Sequence, residues 1–300
     1  MTLTDSVRKW VLENLPYDKT DAQLDAYLKG LDAHGLLVIF HNWTSRLIFP
    51  RPRRVHQSAT FAASLAASLH KAAIEEIIDD IEQGRDLRKY LSRGIGIPAQ
   101  VPLKKNKFNR RRDLDLLLTS WHIHHLHLGS SVEADGFVSR TQDLLFGVFR
   151  RNDAYLVDVV GHGGWYQDNL LRILMNELPD AKVVFELRGV AGLSHEPDEA
   201  DIKTLRNAGV NLAHMIDGKA IMPAGLVSGA GTSESATSET DALLESLEAF
   251  EKEWSQHPER IRSLFIDAGF PLPETPNFEF IITEMGPGIY EQKVKAFYPL

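Results

Sequence analysis

Residues 143–160 read "DLLFGVFRRNDAYLVDVV", two apolar, β-rich runs around the polar turn "RRND". Runs of that length and composition, bounded by turn residues, predict an antiparallel strand pair. Immediately upstream, "LLLTSWHIHHLHLG" (116–129) predicts a further strand. Downstream, "NLLRILMNEL" (169–178) has helical spacing, "AKVVFELRGV" (181–190) reads as a strand, and "AHMIDGKAIM" (213–222) as a hairpin. Asp217-Gly218 is the dipeptide that a type I′ turn demands.

The flanks are helical. Val7, Trp10, Val11 and Leu15, then Leu24, Tyr27, Leu28 and Leu31, fall at near-helical spacing, as do Leu65, Leu69, Ile74, Ile77, Ile78 and Ile81. Gly84 ends or interrupts that last helix. "GLLVIFHNWTSRLIFPRP" (35–52) reads as a hairpin around "HNWTS", closed by Pro50 and Pro52. "SGAGTSESATSETD" has linker composition, "ALLESLEAFEKEW" is helical, and the C-terminus reads as two strands around "EMGPG". The expected fold is α+β, with helices flanking a mainly antiparallel sheet. Its expected segments are N-terminal helices plus a hairpin (1–57), a central helix and histidine-rich sheet (58–194), and a C-terminal α/β region (195–300) with a mobile loop at 228–240.

Composition bounds the function. The chain has 300 residues, 43% of them hydrophobic, enough for a sizeable core. A formal net charge of −8 argues against coating nucleic acid or membrane by bulk charge. With no cysteine, disulfides, thiolate zinc sites and cysteine nucleophiles are excluded. The N-terminal residues carry acids and lack an apolar signal core, and no run approaches about 18 apolar residues. The expectation is a cytoplasmic protein with no membrane partner.

The chemistry concentrates at residues 121–129, "WHIHHLHLG", which hold four of the twelve histidines. Strand alternation puts Trp121, Ile123, His125 and His127 on one face and His122, His124, Leu126 and Leu128 on the other. Three uses compete. A metal site would draw on His122, His124 and Asp158, since zinc takes three or four ligands. A nucleolytic site needs a base, an acid and a cation for the phosphate, available as His125, His127, His162 and Arg140. A structural strand would hydrogen-bond its imidazoles and bind nothing. Two basic stretches stand out against the acidic background: "RPRR" (51–54), and Lys104, Lys105, Lys107, Phe108, Arg110, Arg111 and Arg112 within "KKNKFNRRR". Clustered cations around an aromatic can track a phosphate backbone while a base stacks; a solvated loop is the plainer use. "GHGGW" (161–165) matches no nucleotide motif.

"LHLG", Arg140 and "LLFGVF-RRND-AYLVDVVGH" together resemble the C-terminal β-meander of RelE/ParE-type toxins, over about residues 120–165. Many members of that family are mRNA endonucleases, ribosome-dependent or free, and others poison gyrase. The resemblance implies a toxin-like central meander. His125 and His127 stand where the family often has the arginines of an "R-x-R-x-G" strand, and His162 matches its histidine near the end of the last strand. The residues and the resemblance together leave three functional expectations. The first is an RNA-binding protein acting as a metal-independent endoribonuclease without a cofactor, its partner RNA or a ribosome. The second is a non-enzymatic component of a defence or toxin–antitoxin-like system that binds a protein partner. The third is a metal-dependent hydrolase.

Overall fold

A computed structural model describes residues 2–96, 115–161, 168–195, 198–208, 210–227 and 233–300. In chain order its elements are α1 (Leu3–Asn14), α2 (Ala22–Gly30), α3 (Ala33–Thr44), β1 (Arg54–Gln57), α4 (Ala59–Ala67), α5 (Lys71–Gln83), α6 (Leu116–Trp121), β2 (His124–His127), β3 (Asp143–Phe149), β4 (Asp153–Gly161) and α7 (Asn169–Asn176). Then follow β5 (Val184–Glu186), α8 (Glu199–Asn207), β6 (His214–Ile216), β7 (Lys219–Pro223), α9 (Glu234–Gln256), α10 (Pro258–Asp267), β8 (Phe278–Thr283), β9 (Gly286–Glu291) and β10 (Ala296–Pro299). The fold class is α+β, with mostly antiparallel sheets. No helix among the described residues is long and apolar enough to cross a membrane.

Contacts divide the chain into two units, the first of them made of the two ends of the sequence, where the sequence predicts three consecutive segments. The described part of one unit is 2–42 and 236–300; the other comprises 43–96 and the described residues between 115 and 235.

The second unit carries the histidine strand. Its four-stranded sheet has the order β1-β4-β3-β2, with β1 parallel to β4 and the other pairs antiparallel. The expected β3–β4 hairpin is present, closed by the Arg150 N–H donating to the Asp153 carbonyl at 2.8 Å. Each face of the sheet buries a separate core. Leu126, Leu145 and Leu156 pack against Phe61 of α4 and Ile74, Ile77 and Ile81 of α5. Leu144, Phe146, Val148 and Val157 pack against Leu170, Leu171 and Leu174 of α7, with Trp121 and Ile123. Burying each such side chain contributes about 1.5–3 kcal/mol, so the sheet is held from both sides. Ser58 ties α4 to β4: its hydroxyl caps the helix through the Phe61 N–H (2.7 Å) and donates to the Val157 carbonyl (2.6 Å). Gly84 ends α5 in a left-handed cap (φ 72°), as its position predicted.

A smaller sheet of order β5-β7-β6 follows, and its β6–β7 turn has Asp217 and Gly218 at φ 50° and 77°, as the dipeptide required. In the first unit, β8, β9 and β10 form a meander against α1. There the Ser6 hydroxyl accepts the buried Phe280 N–H at 2.8 Å, and Trp10 meets Phe40 and Phe280 edge-on.

Four local expectations are corrected. Residues 33–44 are helical rather than the first strand of a hairpin: Leu36, Leu37, Val38, Ile39 and Phe40 are all buried, and a continuous apolar run carries no period to separate helix from strand. Leu116–Trp121 is a helix, leaving β2 only residues 124–127. The 228–240 loop is helical from Glu234 onward; residues 228–232 lie outside the described residues. The C-terminus has three strands rather than two, and Gly286 opens β9 instead of sitting mid-turn.

Candidate functional site

Short as it is, β2 keeps the expected alternation. Its register sets His124 opposite Gly147, His125 opposite Phe146 and His127 opposite Leu144. His125 and His127 therefore share the α7 side of the sheet, their rings 5.9 Å apart and nearly perpendicular. His124 lies on the other side, edge-on to Phe149.

Each imidazole has its own environment. His127 is 1% exposed. Its Nε2 faces the Arg140 guanidinium, which reaches it across 13 residues of chain. Guanidinium only donates, so this nitrogen accepts, and a protonated ring beside the arginine would repel it. Arg140 itself is exposed, and burial of part of its head, then the charge of Arg93, hold it below the usual arginine range. His125 is less enclosed, with its side chain 11% exposed, and its Nδ1 lies 3.6 Å from Asp115 Oδ2. His124 is desolvated until its pKa falls to about 4, and its Nε2 lies 3.3 Å from the Ser45 carbonyl. His122 closes α6 in the left-handed conformation (φ 54°), its N–H donating to Leu118.

The structure thus brings together His125, His127 and Arg140 of the expected catalytic set. His162 lies outside the described residues, as do Lys104, Lys105, Lys107, Phe108, Arg110, Arg111 and Arg112. The alternative metal set does not converge. The register of β3 on β4 shifts at Phe146/Gly147, and the Asp158 carboxylate is held by the Ser64 hydroxyl of α4 at 2.6 Å and the Val159 N–H at 2.7 Å. His122 is a helix cap and His124 is engaged with Ser45, and among the described residues no three His, Asp or Glu side chains gather as a metal would require. The "RPRR" stretch serves the fold in part. Buried Arg53 donates to the carbonyls of Phe49, Arg51 and Arg150, and Arg54 pairs with Asp153.

Two carboxylates that the sequence did not single out complete the picture. Asp115 is the N-cap of α6, its Oδ1 accepting the N–H groups of Leu117 and Leu118 at 3.1 Å each, while Oδ2 faces His125. An aspartate ahead of an apolar run is a helix-start signal, lost once the run is read as a strand. Asp168 holds buried His214, Oδ1 to Nδ1 at 2.7 Å, with Trp121 edge-on to the ring. The two lie 46 residues apart, and no local pattern links them. A niche of about 10 Å³, the room of one water, is lined by Ser120, Trp121, Asn211, His214 and Gly225.

Against known proteins, no family model, no curated protein and no solved structure matches the chain. Function is therefore read from the site alone.

Proposed function

We propose that the protein binds RNA and cleaves it as an endoribonuclease without a metal, through the face that carries His125, His127 and Arg140. The observation that carries this reading is a partly accessible imidazole beside a second one that positions an arginine. RNA contains its own nucleophile, so cleavage needs only a base, an acid and a cation. His125 takes the proton of the 2′-hydroxyl as that oxygen attacks phosphorus and the bond to the 5′-oxygen breaks. Arg140 takes the charge on the non-bridging oxygens, its planar fork suited to two of them. His127 is better cast as the residue that holds Arg140 than as an acid, because it is buried and its nitrogen accepts from the guanidinium. The acid for the leaving 5′-oxygen is assigned to His162, which follows β4 directly in sequence, and the 104–112 cations to the RNA backbone.

Cleavage of labelled mixed-sequence RNA, by pure protein and by protein with ribosomes, tests the reading. His125→Ala is expected to lower the rate about 10²–10⁴-fold, the worth of a positioned acid or base. Neutralising the 104–112 cations is expected to weaken binding and flatten its salt dependence. No cleavage under either condition refutes the enzyme.

His124 favours a second reading, in which the strand is architectural and the protein binds a partner without catalysis. Its ring is buried and engaged with a backbone carbonyl. RNA binding or partner capture without cleavage would favour this alternative.

A further inference from the structure

Asp115 belongs to the helix and to the histidine at once. One carboxylate oxygen closes the first turn of α6 through Leu117 and Leu118, and the other lies 3.6 Å from His125 Nδ1. The cap fixes where this carboxylate sits, because moving it would orphan two N–H groups. The His127 ring and Phe146 also lie beside the His125 ring, 5.9 and 6.5 Å away. A carboxylate facing Nδ1 favours the tautomer with the proton on Nδ1 and the lone pair on Nε2.

We infer that Asp115 is the positioning residue for His125, fixing the tautomer in which Nε2 acts as the base; the catalytic part of this inference rests on the nuclease reading above. Asp115 touches no substrate and acts through His125. Because α6 is only six residues long, anchored by Asp115 at one end and by buried Trp121 at the other, the dyad is built on the fold rather than on a loose side chain.

Two variants separate positioning from capping. Asparagine and serine cap helices about as well as aspartate, so Asp115→Asn and Asp115→Ser leave α6 closed. Asparagine then turns an amide N–H towards Nδ1 and reverses the tautomer, while serine leaves Nδ1 without the carboxylate. Ring ¹⁵N chemical shifts of His125, assigned by comparison with His125→Ala, report the tautomer without any activity. In wild type the expected signature is a protonated Nδ1, with Asp115→Asn shifted to a protonated Nε2, at unchanged thermal midpoints. For RNA cleavage, kcat is expected to fall about 10²-fold in both variants with KM unchanged.

Identical His125 ring signals in wild type and both variants, with the fold intact, would overturn the inference whatever the RNA result. A wild type that cleaves nothing while its ring signals respond to Asp115 would uphold positioning and reject the nuclease. Full cleavage by both variants would reject a catalytic use of Asp115.

Discussion

Replacing His124 with glutamine should change how the protein responds to acid. The imidazole is buried, its Nε2 donates to the Ser45 carbonyl, and its Nδ1 meets no donor among the described residues, so the folded chain keeps it neutral. Burial is the largest cause, and it lowers the pKa from 6.5 to about 4. The unfolded chain binds a proton below pH 6.5 and the folded chain does not until about pH 4. The stability this residue contributes is therefore complete above 6.5 and lost as pH falls. Each pH unit of that gap is worth about 1.4 kcal/mol, so the whole interval costs about 3–4 kcal/mol. The assay is urea unfolding at half-unit steps from pH 7 to pH 4.5, wild type against His124→Gln, whose amide keeps a donor for Ser45 but does not titrate. Other titrating groups cancel in the difference between the two proteins. That difference should drift by about 1.4 kcal/mol per unit in the variant's favour as pH falls. A difference that stays flat would mean that His124 protonates freely in the folded state, and would refute the burial argument.

Two further substitutions test how the sheet is supported. Ser58→Ala removes the cap of α4 and a donor to the buried Val157 carbonyl, and urea unfolding should show a loss of about 2 kcal/mol. Gly225→Ala would set a methyl group 2.1 Å from the Thr119 carbonyl oxygen, backbone against backbone. It should cost about 3 kcal/mol or more by the same measurement, and an unchanged midpoint would contradict the close approach.

What the sequence made legible was whatever has a period or a turn signature. The β3–β4 hairpin, α5 ending at Gly84, α7 and the Asp217-Gly218 turn all follow from local pattern. The failures share one physical origin. The run 36–40 is buried on every side, so its hydrophobicity has no period to read. The apolar run 116–118 reads as a strand, and only Asp115 as its cap marks it as helix. At the site, alternation alone placed His125 and His127 together, because side-chain direction in a strand is a local property. The approach of Arg140 to His127 depends on the path of the chain from β2 to β3, and the Asp168–His214 pair on a crossover between two sheets. Neither is encoded by spacing. The first unit, which joins residues 2–42 to 236–300, is invisible to any window of residues for the same reason.

If His125 works as a base on RNA without a metal, the chemical ends of the product show it most directly. Attack by the 2′-hydroxyl leaves a 2′,3′-cyclic phosphate on one fragment and a 5′-hydroxyl on the other. Labelled RNA incubated with wild type in EDTA should yield those ends, and His125→Ala should yield none above background. Fragments bearing 3′-hydroxyls, or cleavage that disappears in EDTA, would contradict the account.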